Sequence, residues 1–151
     1  MSENQKMNRK LILAIGILSL FHSCKNYTIP VESFRDQMTV PGNKKLREVE
    51  INNPTPYSYS NIKYDANSVE FIVVIDKKGN KVKLENSPRL EMRITRKSGK
   101  KYILLFDTVI VENDTLKGAR SRIMQNLRRE IPLNDIDKID IQDSGKVYKY
   151  Q

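Results

Sequence analysis

Several side-chain groups have the types and spacing to do chemistry. Cys24 is the chain's single thiol, a nucleophile when deprotonated and so a point of covalent attachment. Ser60 and Lys63 stand three residues apart, and Lys97-Ser98-Gly99 offers a further ammonium beside a hydroxyl. On a helix, a serine and a lysine at that separation can exchange a proton. Asn134, Asp135, Asp137 and Asp140 gather oxygen ligands of the kind that hold calcium. Tyr57, Tyr59 and Tyr64 can stack on a sugar or a lipid, though such rings more often pack half-buried with the hydroxyl in water.

Most of these lack the elements needed to position them. Ser60 and Lys63 match the S-x-x-K element of penicillin-recognising enzymes, and Lys97-Ser98-Gly99 their K-[ST]-G element. Ser60, however, lies in the Pro/Asn-rich stretch 52–67 and Lys97 in a turn, no S-x-N element lies between them, and the chain is too short for that fold. Chance accounts for the match. The acidic cluster lacks a D-x-D-x-D-G loop and its distant Glu. Ile136, Ile139 and Ile141 make it a turn entering a strand, with Asn134 or Asp135 capping backbone donors. No metal site is expected there.

Cys24 is different because of what precedes it. Residues 1–10 hold Lys6, Arg9 and Lys10 against Glu3. Leu11 to Phe21 is apolar apart from Gly16 and Ser19, with no polar face of the kind a surface helix shows. Eleven residues of helix rise about 16 Å against a hydrocarbon core of about 30 Å, too short to span and stay. A basic flank, a short apolar run and a small residue, Ser23, form the pattern of an export signal, with Met7 an alternative start.

The junction Leu20-Phe21-His22-Ser23-Cys24-Lys25 resembles the lipobox cut by bacterial lipoprotein signal peptidase. Ser23 fits its slot, Phe21 replaces the usual Leu, and His22 departs from the pattern. The resemblance implies cleavage before Cys24 and attachment of lipid to that cysteine, diacylated through its sulfur. Two acyl chains anchor stably where one does not. Lys25 stands where many inner-membrane lipoproteins carry Asp, and the first acid is Glu32. The chain is therefore expected at the outer membrane, facing the periplasm.

Without residues 1–23, Lys plus Arg falls from 27 to 24 and Asp plus Glu from 18 to 17, leaving a net charge of +7 on 128 residues. His22, the only histidine, leaves with the signal, and lipid consumes the only cysteine. What remains has no His, free thiol or Trp. Cys/His zinc sites, haem held by His or Cys, iron–sulfur clusters, Ser–His–acid triads and disulfides are excluded within one chain. No cofactor and no catalytic residue is expected. A pI of about 9.6 would suggest nucleic acid in a cytosolic protein, but export removes that partner. An anionic lipid or an envelope protein remains as a partner. Lys117, Arg120, Arg122, Arg128 and Arg129, the densest basic group, read as an exposed strand face.

Residues 24–45 read as the lipidated cysteine and a polar tether. Val31, Phe34 and Met38 are spaced for one short helix face after Pro30, although an extended strand fits nearly as well. Residues 46–151 form a single β-rich domain. Leu46 to Ile51 is a strand and 52–67 a long loop. Val69–Ile75, Leu90–Ile94 and Tyr102–Phe106 are strands, with Asp107 marking a bend before Val109–Val111. Gly79, Gly99 and Gly145 each sit where a hairpin needs positive φ. Leu116, Ile123 and Leu127 allow a helix over 116–128, while the alternation around Arg120 and Arg122 favours a strand.

Leu116, Gly118, then Ile131-Pro132-Leu133 with Ile136, then Ile139 and Ile141 resemble a "Leu-x-Gly", hairpin, "Ile-Pro-Leu-x-x-Ile", short-strand pattern of SH3-like and Sm-like barrels. The resemblance covers residues 114–141 and implies a small antiparallel sheet or a partly open SH3-like barrel. The expected function is that of an anchored envelope lipoprotein whose domain binds or serves structurally. The alternative is a small-ligand or lipid carrier lined by apolar residues of 69–75 and 102–111.

Overall fold

Pro30 separates the first two elements of the domain, and both lie inside the segment 24–45. A computed structural model of the chain describes residues 25–53, 60–124 and 126–151. Asn26–Ile29 forms strand β1, which pairs with strands on both sides. Tyr27 and Ile29 face Ile141 and Ile139 across one ladder, and Ile29 is buried. Pro30, with φ −58°, ends the strand and starts helix α1, Val31–Met38; its carbonyl accepts from Phe34 N at 2.9 Å. Phe34 and Met38 lie one turn apart on the buried face. The tether reading is therefore corrected. Residues 26–38 are too apolar on alternate and every-fourth positions to remain in water, and the domain includes them and does not begin at residue 46. The helix reading of Val31, Phe34 and Met38 holds.

The remaining strands are β2 (Leu46–Ile51), β3 (Ile62–Asn67), β4 (Phe71–Ile75), β5 (Lys81–Glu85), β6 (Leu90–Arg96), β7 (Lys101–Leu105), β8 (Ile110–Glu112), β9 (Thr115–Ala119), β10 (Arg128–Pro132) and β11 (Ile136–Asp143). They form a six-stranded sheet in the order β5-β4-β1-β11-β6-β7, a three-stranded sheet β10-β9-β8 and the pair β2-β3. Every pairing among the described residues is antiparallel. The protein is mainly β, as the alternating pattern indicates, but its sheets do not close into a barrel. Where β1 ends, Gln37 of the helix continues the ladder: its amide donates to Val73 O at 3.0 Å and accepts from Val73 N at 2.7 Å.

Gly79 and Gly99 take φ of +84° and +81° in the β4–β5 and β6–β7 turns, where side chains with a Cβ are strained. A third hairpin joins β8 to β9 through Asn113 and Asp114, both with positive φ, the two-residue turn that matches strand twist. Gly145 does not make a hairpin. After it the chain leaves the large sheet and crosses to β2, where Tyr150 bridges Ile51. Residues 116–128 are neither one helix nor one strand. β9 ends at Ala119, a loop follows, closed by Arg120 N donating to Leu127 O at 3.3 Å, and β10 returns along β9. The stretch 52–67 likewise gives up its end to β3, whose Tyr64 and Ala66 are buried. Tyr57 and Tyr59 lie outside the described residues.

The core lies between the large sheet, the helix and the three-stranded sheet. Ile72, Val74, Met92, Ile94, Ile139 and Ile141 of the large sheet form one buried cluster with Phe34 and Met38 of the helix and with Phe106, Val109, Leu116 and Leu133. Each such side chain contributes about 1.5–3 kcal/mol on leaving water. Gly118 permits a close approach, because a Cβ there would stand 2.8 Å from Val109 Cγ2 and 3.1 Å from Leu104 Cδ1. That contact accounts for the Leu116-x-Gly118 spacing. Asn67, fully buried, donates to the carbonyls of Phe106 and Val109 at 2.8 Å each and accepts from Asn86 Nδ2 at 2.8 Å. It ties β3 to the turn that follows β7.

A candidate site at a buried carboxylate

Leu104-Leu105-Phe106-Asp107-Thr108-Val109 places one acid within an apolar run. Here the strand turns through a short 3-10 segment, Phe106–Thr108, which is the expected bend. The turn carries Asp107 inward, and its side chain is completely buried. Taking a carboxylate out of water costs several kcal/mol unless it is paired and hydrogen-bonded.

Three residues from distant parts of the chain converge on it. Arg122 Nη2 donates to Oδ1 at 2.9 Å and Oδ2 at 3.1 Å. The hydroxyl of Tyr64 on β3 donates to Oδ2 through a short hydrogen bond, and that of Tyr150 donates to the same oxygen at 3.2 Å. Arg122 also donates to Pro88 O at 2.7 Å. Its guanidinium lies 5.2 Å from the centroid of Tyr64 and 5.5 Å from that of Tyr148, within reach of cation–π attraction. The exposed-face reading of the basic group fails at Arg122, which is buried. It holds for Arg120 and Arg129, which are exposed, while Lys117 is half-buried and pairs with Glu112 at 3.1 Å.

Burial first, and the charge of Asp107 second, push the Tyr64 hydroxyl far above the usual phenol range. The same two causes, in the same order, raise Tyr150. Burial works against the charge of Arg122, but Asp107 and Tyr64 more than offset it, so its pKa rises. Both phenols therefore stay protonated as donors, and Asp107 accepts from all three partners. The arrangement clamps β3, the 106–108 turn, the 120–127 loop and the C-terminal segment to one another.

The raised phenols carry a pH signature. Both groups have folded pKa values above the unfolded value of about 10, so their contribution is present below pH 10 and is lost as pH rises above it. Each tyrosine should steepen the fall by about 1.4 kcal/mol per pH unit in that range. Urea unfolding at pH 9, 10 and 11 checks this: Tyr150→Phe should show a shallower decline than wild type.

The residues singled out by spacing do not come together. Lys63, on β3, is paired across the strand with Glu50 at 3.8 Å. Lys97 occupies the β6–β7 turn, its backbone N–H on Asp135 O at 2.9 Å. Asp135 is held by Arg96 and Asp140 by Lys138 at 3.0 Å. Among the described residues, no three acid, His or Cys side chains gather in metal-holding geometry. The apolar residues proposed as a carrier's lining, including Ile72, Val74, Leu104 and Val109, pack against one another in the core. Cys24 and its leader lie outside the described residues. Among those described, no helix is long and apolar enough to cross a membrane.

Compared with known proteins, the chain matches no family model, no curated protein and no solved structure.

Proposed function

We propose that the protein is an envelope lipoprotein, anchored through lipid on Cys24 at the outer membrane and facing the periplasm, whose β-domain binds or braces and does not catalyse. The observation that carries this reading is a coincidence of boundaries. The export-type leader and Cys24 end at residue 24, and β1 begins at Asn26. Only Lys25 lies between them, so a cut before Cys24 would remove the leader and leave every described element intact. The Asp107 cluster supports a non-catalytic role, since its donors and its acceptor serve each other. The packing of strands 69–75 and 102–111 into the core gives the carrier reading no support.

Metabolic labelling of the full chain in bacteria with an alkyne palmitate analogue tests the anchor. Wild type should take up label and Cys24→Ala should take up none. Label on Cys24→Ala, or its absence from wild type, overturns the reading.

A further inference from the structure

Strand register places a set of chain segments at one end of the six-stranded sheet. Asn26 lies opposite Gln142, Asp143 opposite Leu90, and Glu91 opposite Leu105. Thr28 lies opposite Ile75, which puts the 76–80 turn beside Asn26. The 120–127 loop is drawn to the same end by Arg122, which holds Pro88 O. Grooves join these pieces into one surface. Lys25, Lys77 and Lys78 line one. Lys25, Tyr148 and Lys149, with Glu85, line the next, and Tyr148, Lys146 and Ile123 a third. The 97–100 turn occupies the opposite end.

This end combines features seldom left in water. Ile123 is 76% exposed and Met124 54%, adjacent on one loop, and Val147 is 68% exposed nearby. Apart from the exposed Glu85, the acids named here or lying beside these grooves are engaged locally. Asp76 accepts from Lys78 N at 2.8 Å and Asn80 N at 2.9 Å, Asp143 is paired with Arg89 at 2.8 Å, and Glu91 with Lys146 at 2.5 Å. Cys24 lies two residues from Asn26, a span of at most about 7 Å, comparable to a headgroup layer.

We propose that this end of the domain is a bilayer-contacting surface, with Ile123 and Met124 entering the lipid and Lys25, Lys77 and Lys78 meeting anionic headgroup phosphates. The inference rests on the anchor reading and deepens it. Apolar side chains on a loop tip beside basic ones are the makings of interfacial binding. A lipid on Cys24 would hold this end, and no other, against the membrane.

The test uses the acylated full-length product purified from bacteria and reconstituted in phosphatylethanolamine vesicles containing phosphatidylglycerol. Acylation blocks Cys24, so Ile123→Cys and Ser98→Cys each supply one thiol for a polarity-sensitive dye. Brominated lipids should quench the dye at 123 by at least about twofold and leave that at 98 unchanged. Equal, weak quenching at both sites overturns the proposal. So does a dye at 123 that is shielded but not quenched, which would mean that a second copy or another protein covers the loop. Intact mass reports acylation in the same sample and judges the anchor separately. If the mass shows no lipid, the anchor reading falls and the surface is judged by unlipidated chain. That chain should bind the anionic vesicles in low salt, and Lys77→Glu with Lys78→Glu should weaken binding at least about tenfold. No binding, or binding indifferent to those charges, overturns the surface.

Discussion

Asp107→Ala should lower the stability of the domain by about 3–5 kcal/mol, the usual cost of leaving a buried charge without its partner. For a domain of this size the melting temperature should fall by about 15 °C. Arg122 would keep its bond to Pro88 O but lose both bonds to the carboxylate, and Tyr64 and Tyr150 would lose the acceptor they share. Removing the arginine as well, in Asp107→Leu with Arg122→Met, should recover part of the loss, because no charge then remains buried. The recovery should stay incomplete, since two phenol hydroxyls still lack a partner. Urea denaturation of the single and double variants measures both terms. A single variant within about 0.5 kcal/mol of wild type would mean that the cluster behaves as a surface ion pair and that the clamp is wrongly assigned.

Removing residues 144–151 should act on one part of the molecule and spare another. Tyr148 and Tyr150 pack on the smaller core of Ile51, Tyr64 and Ala66. The Asn52 side chain also grips this segment, accepting from Lys149 N at 2.6 Å and donating to Val147 O at 3.1 Å. Backbone pairing adds Asn52 N on Lys149 O at 3.2 Å and Gln151 N on Glu50 O at 3.0 Å. The loss should be about 3–5 kcal/mol, mostly from the two rings. Hydrogen exchange should show β2 and β3 losing protection, while β1, β6 and β11 keep theirs. Uniform loss across both sheets would show that the two cores unfold as one.

What the sequence discloses depends on how local the cause is. The strands from 69 to 106 announce themselves by apolar runs and, at Leu90–Ile94, by alternation, and Gly79 and Gly99 mark turns, because these signals arise within a few residues. Asp107 is visible as an interruption, and the bend it marks is present. Its partners are not visible. Arg122 looks like any exposed arginine in a basic stretch, and only the fold brings it to a carboxylate fifteen positions earlier. The segment after Cys24 misleads because its polar residues, among them Asn26, Thr28 and Gln37, hide an apolar set that faces inward only once β11 is beside it. Asn113-Asp114 was legible in principle as a two-residue turn between apolar strands. Gly145 has the positive φ of a hairpin and lacks the partner strand, a distinction made by tertiary pairing alone. For the candidate site, the missing signal was a reason to ask what neutralises a lone acid inside Leu104–Val111.

The central place of β1 also has a kinetic side. Tyr27 lies opposite Ile141, so the first strand of the domain pairs with the last, and the middle of the large sheet cannot be completed until nearly the whole chain is available. Contacts this far apart in sequence delay closure, and folding dominated by them runs over milliseconds to seconds, about a thousandfold slower than for helical bundles. A chain that cannot finish its sheet early has its stable fold delayed until its last strand is made. That is the condition under which a polypeptide can be threaded through a narrow pore before it folds.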